Sequence, residues 1–133
     1  MRKQQVKTFF VKTYGCQMNE LDTEIMVGLL EKRGLKRVLE EDQADLFIAN
    51  TCSIRDLAER KAFGKIGRMG KNFLERPVIG ITGCMAMAKK DSLFRKLPHV
   101  DFVLGTNNIS DLNEVLDEVL LTGKKTIRTV DQF

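Results

Sequence analysis

Two stretches of this 133-residue chain, Leu46-Phe47-Ile48-Ala49 and Val78-Ile79-Gly80-Ile81, run without a polar interruption. A strand with one wet face alternates apolar and polar residues, whereas an unbroken run marks a strand buried on both faces. Strands of that kind belong to parallel sheets sandwiched between helices. The rest of the chain supplies both elements. Val6 to Lys12, rich in β-branched and aromatic residues, reads as a first strand. Asn19 then stands as an N-cap with Asp22 three residues on. Leu21, Ile25, Leu29 and Leu30 recur behind it at helical spacing, the pattern of an apolar face, and Gly34 is the stop.

Leu35 to Leu39 is a short strand, Glu40 to Asp45 an acidic turn, and Asp45 to Thr51 the strand that carries the first apolar run. Ser53 with Asp56 resembles a second capping pair and opens a long helix to about Leu74, with Ala58, Ala62, Ile66, Met69 and Phe73 as its inner stripe. Gly64, Gly67 and Gly70 each weaken that helix by roughly 1 kcal/mol relative to alanine. Pro77 ends the segment, and Val78 to Thr82 is the next buried strand. A helix from about Ala86 to Lys96 and a strand from Asp101 to Leu104 follow. Ser110 is placed to cap a last helix, with Leu112, Val115, Leu116, Val119 and Leu120 inward and Gly123 as its stop. Lys124 to Phe133 reads as an extended basic tail with no core to join. Strands alternating with helices predict an α/β fold: a doubly wound, flavodoxin-like, five-stranded parallel sheet of order 2-1-3-4-5 with helices on both faces.

The only cysteines, Cys16, Cys52 and Cys84, each stand just past one of these strands, in Gly15-Cys16-Gln17, Thr51-Cys52-Ser53 and Gly83-Cys84-Met85. In the order 2-1-3-4-5 the first, third and fourth strands are neighbours. At roughly 4.8 Å per strand their ends span only about 10 Å. Strand-to-helix turns lie at the carboxyl edge of an open sheet, where ligands bind. Three thiolates gathered there could hold three irons of a cluster and leave a fourth open. For each cysteine alone, the competing reading is a small buried hydrophobe.

No apolar run approaches a membrane span, and the stretch behind Met1-Arg2-Lys3 is too short for a signal-peptide core. A cytoplasmic protein is expected, with no membrane partner. Thiols stay reduced there, so an odd number of cysteines points to metal or catalysis rather than to disulfides. Zinc on three thiolates is the rival metal, although zinc sites usually draw on close cysteine pairs and this chain has none. A nucleophilic cysteine would want a histidine. The single one, His99, precedes a strand and so falls at the amino edge, away from the cysteines. A phosphoacceptor module would want an acidic cluster where Asn50-Thr51-Cys52 stands. A flavin module would want a better phosphate loop than Thr13-Tyr14-Gly15-Cys16.

Gln17, Asn19, Asn50, Ser53 and Asn107 crowd the same edge, where amide and hydroxyl donors near cluster sulfurs tune potential and geometry. Turn and cap chemistry is their competing role. Arg55, Arg60, Lys61, Lys65, Arg68, Lys71 and Arg76 share a segment with Asp56, Glu59 and Glu75, leaving +4 on the helix behind Cys52. Such a face could meet RNA phosphates or simply be a solvated helix face.

Three segments together carry a resemblance: Tyr-Gly-Cys-Gln-Met-Asn at 14–19, Asn-Thr-Cys-Ser-Ile-Arg at 50–55 with Ala58-Glu59-Arg60-Lys61, and Gly-Cys-Met-Ala at 83–86. With His99-Val100-Asp101 and Leu104-Gly105-Thr106, they resemble the amino-terminal domain of the methylthiotransferases, a family of radical S-adenosylmethionine enzymes. The Gln-Met-Asn and Cys-Ser-Ile-Arg wording looks like the family's tRNA branch rather than its ribosomal-protein or threonylcarbamoyl-adenosine branches.

The resemblance implies that Cys16, Cys52 and Cys84 match the ligands of an auxiliary 4Fe–4S cluster, prone to loss in air, whose open iron presents the sulfur to be transferred. It implies a tRNA substrate, with the isopentenylated adenosine next to the anticodon modified at C2. A second 4Fe–4S cluster and S-adenosylmethionine would belong to a following radical domain, and a terminal RNA-binding domain would come after that. The chain departs from the family in lacking C-x₃-C-x₂-C. Residues 1–123 are therefore expected to be the auxiliary-cluster domain and 124–133 a linker toward a domain absent from this chain. The polypeptide alone is expected to be inactive. A non-enzymatic zinc or redox-sensing module of the same fold is the alternative.

Overall fold

The computed structural model describes residues 5–13, 18–51, 64, 77–83, 95 and 98–128, with backbone alone at 18, 19, 83, 106 and 107. Its elements are β1 (Thr8–Thr13), α1 (Met18–Lys32), β2 (Lys36–Arg37), β3 (Leu46–Thr51), β4 (Val78–Gly83), β5 (Phe102–Leu104), α2 (Leu112–Thr122) and β6 (Thr126–Arg128). Short 3₁₀ turns at Glu41–Gln43 and Thr106–Asp111 complete the described chain. The long helix expected over 53–74 and the helix over 86–96 lie outside the described residues, apart from Gly64 and Arg95, which are helical.

All strand pairings are parallel, and the order is β2-β1-β3-β4-β5-β6. The expected order 2-1-3-4-5 is present, with a sixth strand added beyond it. That strand comes from the segment read as a free tail. Thr126, Ile127 and Arg128 pair with Phe102, Val103 and Leu104. Three half-buried residues give no apolar run to read, and polar contacts hold them instead. Arg128 Nη1 donates to Glu114 Oε1 at 2.7 Å, and Lys125 Nζ donates to the carbonyls of Pro98 and Val100.

Register puts paired residues on one face, so the sheet reads as rows. On the face covered by α1 and α2 the first row is Phe9, Leu46 and Val78, and the second is Val11, Ile48, Gly80 and Phe102. These rows join Met26, Val27, Leu30, Leu112, Val115, Leu116 and Val119 in one buried core. Fully burying each large side chain contributes roughly 1.5–3 kcal/mol. Gly80 is required, because a Cβ there would fall inside the Phe102 ring. Phe47, Ile79, Ile81 and Val103 occupy the alternate positions and are equally buried, as continuous apolar runs demand.

α2 buries Leu112, Val115, Leu116 and Val119 and ends at Gly123 with φ 72°, as its spacing predicts. Its start differs: Ser110 is exposed inside the 3₁₀ turn, and Asp111 precedes the helix. α1 stops at Gly34, with φ 104°. It begins at Met18, which puts Asn19 in the first turn rather than at the cap. Its buried stripe also differs from the expected one. Leu21 is 68% and Ile25 45% exposed, while Thr23, Met26, Val27 and Leu30 turn inward. Those four follow the same helical spacing. A hydropathy reading misses the stripe because its first member is a threonine.

Candidate metal centre at the carboxyl edge

The third row of the sheet changes character. Thr13, Asn50 and Thr82 stand side by side on β1, β3 and β4, with the same register that aligns the apolar rows. Cys16 follows Thr13 by three residues, and Cys52 and Cys84 follow Asn50 and Thr82 by two. The strand ends that lead into all three cysteines are thus adjacent, with β1 and β3 flanking the point where strand order reverses.

Side chains lock this row. The hydroxyls of Thr13 and Thr23 lie 2.7 Å apart, Asn50 Nδ2 donates to Thr23 Oγ1 at 2.9 Å, and Thr82 Oγ1 donates to Asn50 Oδ1 at 3.2 Å. Thr51 Oγ1 adds a bond to the Thr82 carbonyl at 2.8 Å. Asn50 and Thr82 are wholly buried, and Thr51 and Thr23 nearly so. Groups buried this deeply must be bonded, since an orphaned one costs about 1–3 kcal/mol. A network with most of its capacity used is rigid.

Of the donors expected near the metal, Asn50 is in place at the edge and uses its amide to join β3 to α1 and β4. The backbones of Asn19 and Asn107 lie in α1 and in the turn after β5; their side chains are outside the described residues. Cys16, Gln17, Cys52, Ser53, Cys84 and the basic series Arg55, Arg60, Lys61, Lys65, Arg68, Lys71 and Arg76 also lie outside them. Among the described residues no group of three His, Cys, Asp or Glu side chains forms a metal site.

Sequence reasoning passed over Thr13, Thr23 and Thr82. The available signal was that each of the three strands leading to a cysteine carries a threonine in its last two residues; Thr23, inside α1, left no such mark. Asn108, in the turn after β5, is a further buried amide: its Nδ2 donates to Asp111 Oδ2 at 3.3 Å.

The opposite edge holds the other polar fixtures. Asp45 Oδ2 accepts the Lys7 and Thr8 amides, and Asp101 Oδ2 accepts the Ile79 amide at 3.0 Å. His99 sits half-buried in the turn ahead of β5, at this amino edge, as its sequence position predicts. Near the cysteine edge, burial raises the pKa of Asp22, the residue before Thr23, above the ordinary carboxylate value. A cleft of about 490 Å³ is lined by Phe10, Lys12, Leu39, Glu40, Glu41 and Asp42, with no member of the polar row. No described helix is long and apolar enough to cross a membrane.

A family model described as "Uncharacterized protein family UPF0004" matches residues 8–105. The chain is 70% identical over 128 residues to the tRNA-2-methylthio-N(6)-dimethylallyladenosine synthase of Protochlamydia amoebophila (strain UWE25), covering 96% of this chain and 28% of that protein. It is 44% identical over 113 residues to the protein of that name from Akkermansia muciniphila, covering 84% of this chain and 25% of the relative. Against the Oceanobacillus iheyensis protein of that name the identity is 42% over 125 residues, covering 91% of this chain and 24% of the relative. The chain thus spans about a quarter of the length of these relatives.

Proposed function

The chain belongs to the uncharacterized protein family UPF0004, and from that membership we propose that it is the auxiliary iron–sulfur domain of a tRNA methylthiotransferase. Cys16, Cys52 and Cys84 hold a 4Fe–4S cluster in this reading. The observation that carries it is the side-by-side register of Thr13, Asn50 and Thr82 at the ends of the strands that lead to those cysteines. Three thiols leaving neighbouring strand ends suit a cluster several ångströms across, and soft thiolates suit iron–sulfur chemistry. When bound, such a cluster supplies an open iron at which exchangeable sulfur can be held.

The chain's own part is to fix three ligand loops at one rim and leave that rim open to a partner domain. The reaction served is addition of a methylthio group to C2 of isopentenylated adenosine beside the anticodon, a reading supported by relatives named tRNA-2-methylthio-N(6)-dimethylallyladenosine synthase. A second 4Fe–4S cluster and S-adenosylmethionine belong, in this reading, to a separate radical domain, with 124–133 proposed as the linker toward it. The 133 residues alone are proposed to be inactive. Gln17, Asn19, Ser53 and Asn107 are proposed donors around the cluster. Arg55, Arg60, Lys61, Lys65 and Arg68 are proposed to face tRNA phosphates in the cytoplasm.

Anaerobic reconstitution with iron and sulfide tests the reading. About four of each per chain, with uptake abolished by Cys16→Ala, Cys52→Ala or Cys84→Ala, is the expected result. One zinc and no acid-labile sulfide would replace the reading with a structural zinc module.

A further inference from the structure

We infer that Thr23 and Asn50 are a positioning pair, setting the spacing from which the three cysteine loops depart; the inference rests on the iron–sulfur reading above. Thr23 comes from α1, the element that follows Cys16 in sequence, and its hydroxyl meets Thr13, on the strand that precedes Cys16, at 2.7 Å. That contact links the strand before residues 14–17 to the helix after them. Asn50 extends the tie sideways, donating to Thr23 and accepting from Thr82, so β1, α1, β3 and β4 share one network.

Nothing about burial calls for polar groups here. The two rows beneath are filled by Phe9, Leu46, Val78, Val11, Ile48 and Phe102, and the polar row itself continues onto β5 as the wholly buried Leu104. Apolar contacts hold elements together without specifying a lateral distance, because they are non-directional. Hydrogen bonds specify distance and angle. The polar row is the last described one on this face of the sheet before the cysteines, where fixed spacing matters most. Residues that orient metal ligands from outside the ligand shell commonly change metal affinity about 10–100-fold when removed.

The test uses the 133-residue chain, reconstituted anaerobically, in four forms: parent, Thr23→Val, Thr23→Ser and Thr8→Val. Thr8 lies at the amino end of β1 and spends its hydroxyl on Asp45 and Gln43, so its loss removes hydrogen bonds at the wrong edge for positioning. Iron release to a chelator is followed beside the melting temperature and the electron paramagnetic resonance of the reduced cluster. Thr23→Val should release iron about tenfold faster and shift the resonance. Thr23→Ser should restore both, and Thr8→Val should lower the melting temperature while keeping the parent's release rate and resonance. Should Thr23→Val fail to fold, Thr13→Val breaks the same 2.7 Å link and takes its place. Parent-like release from the valine variant, or equal acceleration by Thr8→Val, overturns the positioning role while leaving the cluster in place. A parent that takes up no iron removes the iron–sulfur reading, and the positioning role falls with it.

Discussion

Asn50 stands directly opposite Thr82 in the register of β3 and β4, and its Oδ1 accepts the Thr82 hydroxyl at 3.2 Å while its Nδ2 donates to Thr23. One wholly buried amide therefore couples two strands and a helix just before two of the three cysteines. Replacing it with an apolar side chain of similar size takes the acceptor from the Thr82 hydroxyl and leaves the Thr23 hydroxyl with Thr13. Asn50→Leu should destabilise the metal-free chain by about 2 kcal/mol, read from urea unfolding with an unchanged denaturant slope. A loss below about 0.5 kcal/mol would mean that the row is not hydrogen-bonded as described.

Two glycines should respond to alanine with opposite signs. Gly80 lies under the Phe102 ring, where a Cβ has no room, so Gly80→Ala should cost about 1–3 kcal/mol through forced repacking. Gly28 is inside α1, where an added Cβ would meet none of the described residues within 4 Å. Gly28→Ala should stabilise by roughly 0.5–1 kcal/mol. Thermal melts of both variants under one set of conditions decide the pair.

Asp22 supplies a pH dependence. Burial raises its pKa in the folded chain above the value of the unfolded one. The folded state therefore holds the proton more tightly, and this group's contribution to stability declines as pH rises through the window between the two values. Asp22→Asn removes that decline. The variant should melt above the parent near neutral pH, and the difference should shrink as pH falls to the ordinary carboxylate range. A gap that stays constant across pH would point away from desolvation of the carboxylate.

β6 is tied to α2 by Arg128 through Glu114 at 2.7 Å and Glu118 at 3.4 Å, all partly in water. Exposed pairs of this kind contribute about 0–1 kcal/mol. Arg128→Ala should therefore lower stability only slightly, by an amount that disappears at high salt. Thr126→Pro removes the amide that donates to the Asp101 carbonyl at 3.0 Å and should release the strand, seen as faster amide exchange at Phe102 to Leu104.

The sheet was legible because its central strands are apolar on both faces, and Leu46 to Ala49 or Val78 to Ile81 admit few other readings. β6 was illegible for the opposite reason: Thr-Ile-Arg is too short and too polar to show a period, and edge pairing with side-chain ion pairs leaves no mark in hydropathy. The inward stripe of α1 was misread at its start. Thr23 is buried by hydrogen bonding, and the apolar Leu21 and Ile25 that drew the reading are exposed. The convergence of the strand ends followed from strand order alone. The polar row beneath them did not, because no property of Thr13 or Thr82 taken singly distinguishes a lock from a strand-end turn residue, and Thr23 lies inside a helix.

A single cluster requires Cys16, Cys52 and Cys84 to share one rim. Short bifunctional thiol reagents reaching about 10 Å, the span of neighbouring strand ends, applied to the reduced metal-free chain and read by peptide mass mapping, measure this directly. Intramolecular links between all three cysteine pairs are the predicted result. A cysteine that reacts freely yet links to neither of the others would contradict the shared site.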